Sequence, residues 1–220
     1  MSIFSSLFSG ALGAIIGFTG DWFLAIALLT IAIKGLLFPL SVKQRRGMLI
    51  TQSFAEAQKM LNEKYKGKKE LVTEGLTKIM AKYKVNPLSS IMMLLVQLPV
   101  FFSIYYTVSH LTTGIGSVII PWVINVTKAD TLHVLPVAAG LVQGALSFYS
   151  TPSQTRNFLM IALPIGIGLW FLWSAPVGVS VYWACNALFG IAELQLFKLR
   201  AIKERYLTVP SAEEMVAGIA

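Results

Sequence analysis

WFLAIALLTIAIKGLLFPLSV, residues 22 to 42, is an apolar segment broken by one charge, Lys34. A polar, strongly basic stretch with helical patterning follows from Lys43 to Asn86, and hydrophobic segments resume at Leu88. About 20 apolar residues suffice to cross a hydrocarbon core of roughly 30 Å. A charge inside such a span costs several kcal/mol unless it faces protein or water, so Lys34 marks a functional position by default.

The rest of the composition agrees with a membrane protein. Hydrophobic residues make up 55% of the chain and charged residues 13%, about half the charged share of soluble domains, and the mean hydropathy is +0.70. The single cysteine, Cys185, excludes an internal disulfide framework. It lies in an apolar segment with no His nearby in sequence and reads as a small buried residue.

Five transmembrane helices are expected: Trp22 to Val42, Leu88 to Ser109, Leu132 to Ser150, Asn157 to Ser174 and Val177 to Phe197. Only Ala175 and Pro176 separate the last two, and Pro cannot continue the preceding helix. Residues 1–21 read as an external interfacial helix: Ile3, Phe4, Leu7, Phe8, Leu12, Ile15 and Ile16 recur at roughly helical spacing, with Ser and Gly on the other side. Residues 110–131 form an external loop and residues 198–220 a cytoplasmic basic tail.

Charge sets the orientation. Between positions 43 and 86 stand eleven Lys and Arg residues against four Glu, a net of +7. Arg156 and the tail cations Lys198, Arg200, Lys203 and Arg205 fall on the same side, whereas Lys128 of the second-to-third connection is balanced by Asp130. The positive-inside rule then places the N-terminus outside and the C-terminus in the cytoplasm of a multi-pass cell-membrane protein.

The stretch from 43 to 86 is patterned as two helices. Ile50, Phe54, Ala57, Leu61 and Tyr65 form one seam, and Val72, Leu76, Ile79 and Tyr83 another, around a turn at Lys66, Gly67, Lys68 and Lys69. This reads as an antiparallel helical hairpin with a basic tip at Lys66, Lys68 and Lys69, suited to anionic lipid headgroups or ribosomal RNA.

At about 1.5 Å per helical residue, Lys34 falls near the bilayer middle with Thr30 one turn above it. Gln97 and Gln143 reach similar depth on the second and third spans. Tyr182 and Asn186 share a face in the outer half of the fifth. One amide or hydroxyl in a span is ordinarily interhelical glue. Polar groups from four spans around a lysine point instead to a hydrated cavity. Glu193, seven residues beyond Asn186, can pair with Lys34 or sit at the inner interface near Lys198.

The runs LLTIAIKGLLFPLSVKQ, KYKVNPLSSIMMLLVQLPVFFSIYY and APVGVSVYWACN resemble the YidC/Oxa family of membrane protein insertases, and are most similar to its compact Gram-positive type. The likeness runs in order from about Trp22 to Arg200. It implies an all-α fold in which five spans enclose a hydrophilic groove open to the cytoplasm and to lipid, plus the cytoplasmic hairpin. It implies an insertase and chaperone; separately from the resemblance, a monomer without a cofactor is expected. Its partners would be nascent membrane proteins, the ribosome, anionic lipids and, for some clients, the Sec translocon. The family's groove cation is usually arginine, and Lys34 stands at that position; Thr30, Gln97 and Tyr182 match other groove or core positions. Ser89 and Ser90 depart from a usual Gly-Gly, Met93 from a usual proline, and the lipoprotein cysteine common near the N-terminus is missing.

Other classes fit less well. The spans contain no Asp, and His110 and His133 lie near the outer edge, which leaves no intramembrane protease dyad and too few ligands for a metal. No GxxxxGK[ST] phosphate loop occurs. The alternative is a small channel or transporter with an intramembrane anion site at Lys34.

Overall fold

The computed structural model describes residues 3–66, 68–85, 89–111, 114–151 and 157–219. Gly67 of the expected turn, the Asn86-Pro87-Leu88 motif and Arg156 lie outside them. Among the described residues there are nine helices and no strand. They are α1 (Ile3–Thr19), α2 (Trp22–Lys64), α3 (Lys69–Tyr83), α4 (Ser89–Ser109), α5 (Val134–Ser150), α6 (Phe158–Leu172), α7 (Val177–Leu196), α8 (Arg200–Tyr206) and α9 (Ala212–Ala217). By length and apolar composition, α2 and α7 can each cross a bilayer; α5 and α6 are apolar but shorter. The first expected span and the first hairpin helix are one continuous helix, α2, because Lys43 to Lys64 contains good helix formers and no proline.

The chain forms two compact units, Met1–Leu37 with Leu98–Leu196, and Phe38–Gln97 with Phe197–Ala220. In the first unit Trp22, Ala25, Ile26 and Leu29 of α2 are buried with Ile104 and Val108 of α4 and with Val177, Val179, Val181 and Tyr182 of α7. From α1, Phe8, Leu12 and Ile16, four residues apart, enter this core. Part of the polar side of α1 also turns inward, with Ser5 buried and the Ser9 hydroxyl 3.2 Å from that of Thr107. Leu7 and Phe18 remain outside.

Small residues let α5, α6 and α7 approach closely, as in other membrane bundles. A Cβ on Gly140 would stand 3.1 Å from Leu169, one on Gly144 2.7 Å from Ile165 Cγ1, and one on Gly190 3.0 Å from Leu146.

The connection between α4 and α5 is tied to three helix starts. Asp21 caps α2, accepting from the Phe23 and Leu24 amides at 2.7 and 3.1 Å with Oδ1. Its Oδ2 accepts from Ser117 Oγ at 3.0 Å and the Val118 amide at 2.8 Å. Asp130 accepts from the amides of Leu132 and Leu135 at the start of α5. The Val177 and Gly178 amides of α7 donate to the carbonyls of Lys128 and Val126. Gly20, at φ +64°, supplies the left-handed turn between α1 and Asp21.

In the second unit the two seams share one core, in which Ala57, Leu61, Val72 and Ile79 are buried and Ile50, Phe54, Leu76 and Tyr83 pack against them. Ala212 and Met215 of the C-terminal segment are buried in the same core. Ser211 and Glu214 form a capping box at the start of α9. Met215 is fully buried, Tyr83 OH donates to the Glu214 carbonyl at 3.0 Å, and Lys82 Nζ donates to the Gly218 carbonyl at 2.6 Å.

Candidate functional site

Lys34 stands at the thirteenth position of α2 and is half-buried. Glu193, near the end of α7, is within its electrostatic reach. The two do not form a direct ion pair; among the described residues those are Glu74–Lys78 and Arg200–Glu204, both exposed. A carboxylate therefore lies near the ammonium without capping it.

The face of α7 that carries Glu193 is polar and incompletely satisfied. Trp183, Asn186, Gly190 and Glu193 recur at spacings of three or four, on one side of a helix. Asn186 Oδ1, Trp183 Nε1 and Glu193 Oε1 are buried without a hydrogen-bond partner in the protein. Buried polar atoms are nearly always paired with protein or water. This face is therefore suited to water or to the polar groups of another chain.

The other expected residues divide. Thr30 and Tyr182 come together, at 1% and 3% exposure, but in an apolar setting with Phe8, Leu12, Leu29 and Ile104 around a void of about 10 Å³. That is barely the space of one water. The Thr30 hydroxyl donates to the Ile26 carbonyl at 2.7 Å, so it is satisfied within its own helix. Gln143 is half-buried on α5, which packs along α7. Gln97 is half-buried and belongs to the second unit. Lys66, Lys68 and Lys69 are exposed around the turn between α2 and α3.

Residues that sequence reasoning passed over hold the opposite end. Asp21 was signalled by Gly-Asp directly before an apolar run, the pattern of a helix N-cap, yet its bonds to Ser117 and Val118, 96 and 97 residues away, have no local signature. Burial opposes its charge, but the bonds from Val118, Leu24, Ser117 and Phe23 outweigh burial and hold the carboxyl below its ordinary range. His110 stacks on Tyr106 and His133 on Trp173, each at 4.1 Å.

Among the described residues, an all-helical architecture with two helices long and apolar enough to cross a bilayer falls in the class of all-α membrane proteins. Comparison with known proteins narrows this. The model of the 60Kd inner membrane protein family matches residues 14–205, and the chain belongs to that family, the YidC/Oxa1 group. It is 31% identical over 186 residues, 83% of the chain, to the membrane protein insertase YidC of Dechloromonas aromatica (strain RCB). It is 32% identical over 197 residues, 88% of the chain, to the protein of the same name from Francisella tularensis subsp. novicida (strain U112). The chain spans about a third of the length of these relatives, 34% and 35%.

Proposed function

We propose that this chain is a membrane protein insertase that helps nascent membrane proteins enter and fold in the bilayer. α2, α4, α5, α6 and α7 act as five spans around a hydrophilic groove open to the cytoplasm and to lipid. The N-terminus lies outside and the C-terminus in the cytoplasm. The observation that carries the reading is Lys34: a half-buried cation within the apolar part of α2, near Glu193 but not ion-paired with it. A fully neutralised lysine would be a structural strut; one left with spare donors can attract an acidic client segment.

The physics follows from the cost of crossing. A hydrophilic client segment resists a hydrocarbon core because each uncompensated charge or backbone group loses its hydration. A wet notch reaching Lys34 shortens the crossing, the ammonium attracts client carboxylates, and the unsatisfied polar face of α7 replaces part of the lost water. The client's apolar helix then moves into lipid, and its transfer supplies the driving free energy. No nucleotide is required.

The test is insertion of a short single-span client with an acidic external segment into liposomes containing the purified protein. Lys34→Ala should reduce insertion severalfold at unchanged protein level, and Lys34→Arg should retain it because the charge remains. Equal insertion by Lys34→Ala and the parent would remove the charge from the mechanism. Ion flux through the parent without insertion would favour the channel reading.

A further inference from the structure

The segment that leaves α7 is built into a cleft. Phe197 is buried and its ring stacks on Phe38 of α2, centroids 5.9 Å apart at 27°, which fixes the chain just before Lys198. Leu207, directly after α8, is also buried. Between these anchors an open cleft of about 620 Å³ carries Lys198, Arg200 and Lys203 over an apolar lining that includes Leu49 of α2 and Leu207. Its one carboxylate, Glu204, is occupied by Arg200 at 2.7 Å, so the lining keeps a positive balance. Arg45 stands four residues before Leu49, on the same side of α2.

We propose that this cleft binds the headgroup of an anionic phospholipid, its phosphate held by Lys198, Arg200 and Lys203 and its glycerol region lying against Leu49 and Leu207. The placement rests on the membrane reading above: Lys198 follows the last residue of α7 by two positions, the level at which a span gives way to headgroups. The open cleft of about 620 Å³ is far larger than a lone phosphate, which suits a headgroup with its glycerol. Leu199 and Tyr206, 54% and 48% exposed, flank the cations with apolar surface that matches the acyl boundary. RNA bases can stack on Tyr206 but gain little from Leu199, Leu49 and Leu207, so lipid is favoured over nucleic acid.

Native mass spectrometry of the full chain in detergent micelles, titrated with dioleoyl phosphatidylglycerol, tests the site. Dioleoyl phosphatidylcholine, inorganic phosphate and a uridine decamer form the other arms. Each Lys or Arg near an anionic lipid surface contributes about fivefold. Lys198→Gln, Arg200→Gln and Lys203→Gln together should therefore weaken phosphatidylglycerol binding at least tenfold, and Lys203→Glu alone severalfold. Replacing Lys59, an exposed lysine of α2 outside the cleft, by Ser should change it less than twofold. All three replaced side chains in the cleft are exposed, and an unchanged melting curve verifies the fold.

Binding of phosphatidylcholine as tightly as phosphatidylglycerol would overturn the proposal, as would unaltered phosphatidylglycerol binding by both cleft variants. Full displacement by equimolar inorganic phosphate would make the site one for a free anion. Loss of decamer binding with lipid binding intact would make it a nucleic-acid face. Client insertion by the same preparations is scored separately: intact insertion without lipid selectivity sinks only the cleft, and selective lipid binding without insertion sinks only the insertase reading.

Discussion

Asp21→Asn tests whether the connection between α4 and α5 is held to the start of α2 by a charged anchor. The asparagine carbonyl can keep the Phe23 and Leu24 amides at Oδ1, so the helix cap survives. Its NH₂ then faces Ser117 Oγ and the Val118 amide, now 3.0 and 2.8 Å from Oδ2. The serine hydroxyl can rotate and accept; the amide N–H cannot. The Val118 donor is only part-buried, so losing its acceptor costs about 1 kcal/mol, the low end of the buried-donor range, and loss of the charge weakens the surviving bonds, since charge-assisted bonds are roughly twice as strong as neutral ones. A total of about 1–3 kcal/mol corresponds to a fall in Tm of roughly 2–12 °C for a domain of this size.

Tryptophan fluorescence during thermal unfolding in detergent reads this at the site, because Trp22 is adjacent and fully buried. The sign with pH is fixed. The folded carboxyl ionises below its ordinary value of 3.8, so its contribution is fully present above that value and is lost as pH falls through the lower, folded value. The Tm gap between parent and Asp21→Asn should be constant from pH 5 to 8 and narrow only below about pH 4. A variant that melts within 1 °C of the parent at about pH 7, where the effect above is predicted, would refute the anchoring role.

Gly178→Ala should lower Tm although alanine favours helix by about 1 kcal/mol. Its Cβ would stand 2.6 Å from Val108 Cγ1 and 2.8 Å from Val126 Cγ2, and overpacking against stiff β-branched side chains costs about 1–3 kcal/mol; Gly166→Ala, with open space around its Cβ, is the neutral or stabilising control in the same melt. Met215→Asp should undock α9 from α3, because an unpaired carboxylate replaces a fully buried side chain, and limited proteolysis should then cut the segment after Leu207 much faster, whereas an unchanged pattern would mean that α9 contributes nothing to the hairpin core. Single cysteines at Lys34, Asn186, Thr30 and Tyr182 in a Cys185→Ala background should label with an impermeant thiol reagent from the cytoplasmic side at the first two positions and poorly at the buried pair; equal labelling of Lys34→Cys from both sides would indicate a through-pore.

Which of these groups could be found from sequence depends on how far each one's partners lie along the chain. Lys34 stands out because a charge in an apolar run violates the local pattern whatever surrounds it. The seams of α2 and α3 were legible for the same reason, their period being carried by consecutive turns. Thr30 and Tyr182 were legible as polar residues at a given depth, but depth does not say what a helix faces. Thr30 shows the physical difficulty: a hydroxyl bonded to the carbonyl four residues earlier presents mainly its methyl to its neighbours. It packs with Phe8 and Leu12 as an apolar residue would. A Thr in a span is thus weak evidence for a wet surface, whereas an amide or carboxylate cannot satisfy itself in this way.

That difference ranks the candidate groove residues by physics alone. Asn186 and Glu193 keep buried oxygens that their own helix leaves unpaired, and Lys34 keeps ammonium donors that Glu193 attracts without a direct ion pair. These three call for partners beyond their own helix, and the cost of leaving them dry is what a client or water would relieve. Thr30 needs no such partner. Its replacement by Val should therefore leave insertion at the parent level, where Lys34→Ala does not; a matching loss in both variants would mean that the outer core and the lysine act as one unit, and the functional site would have to be drawn one helical turn wider.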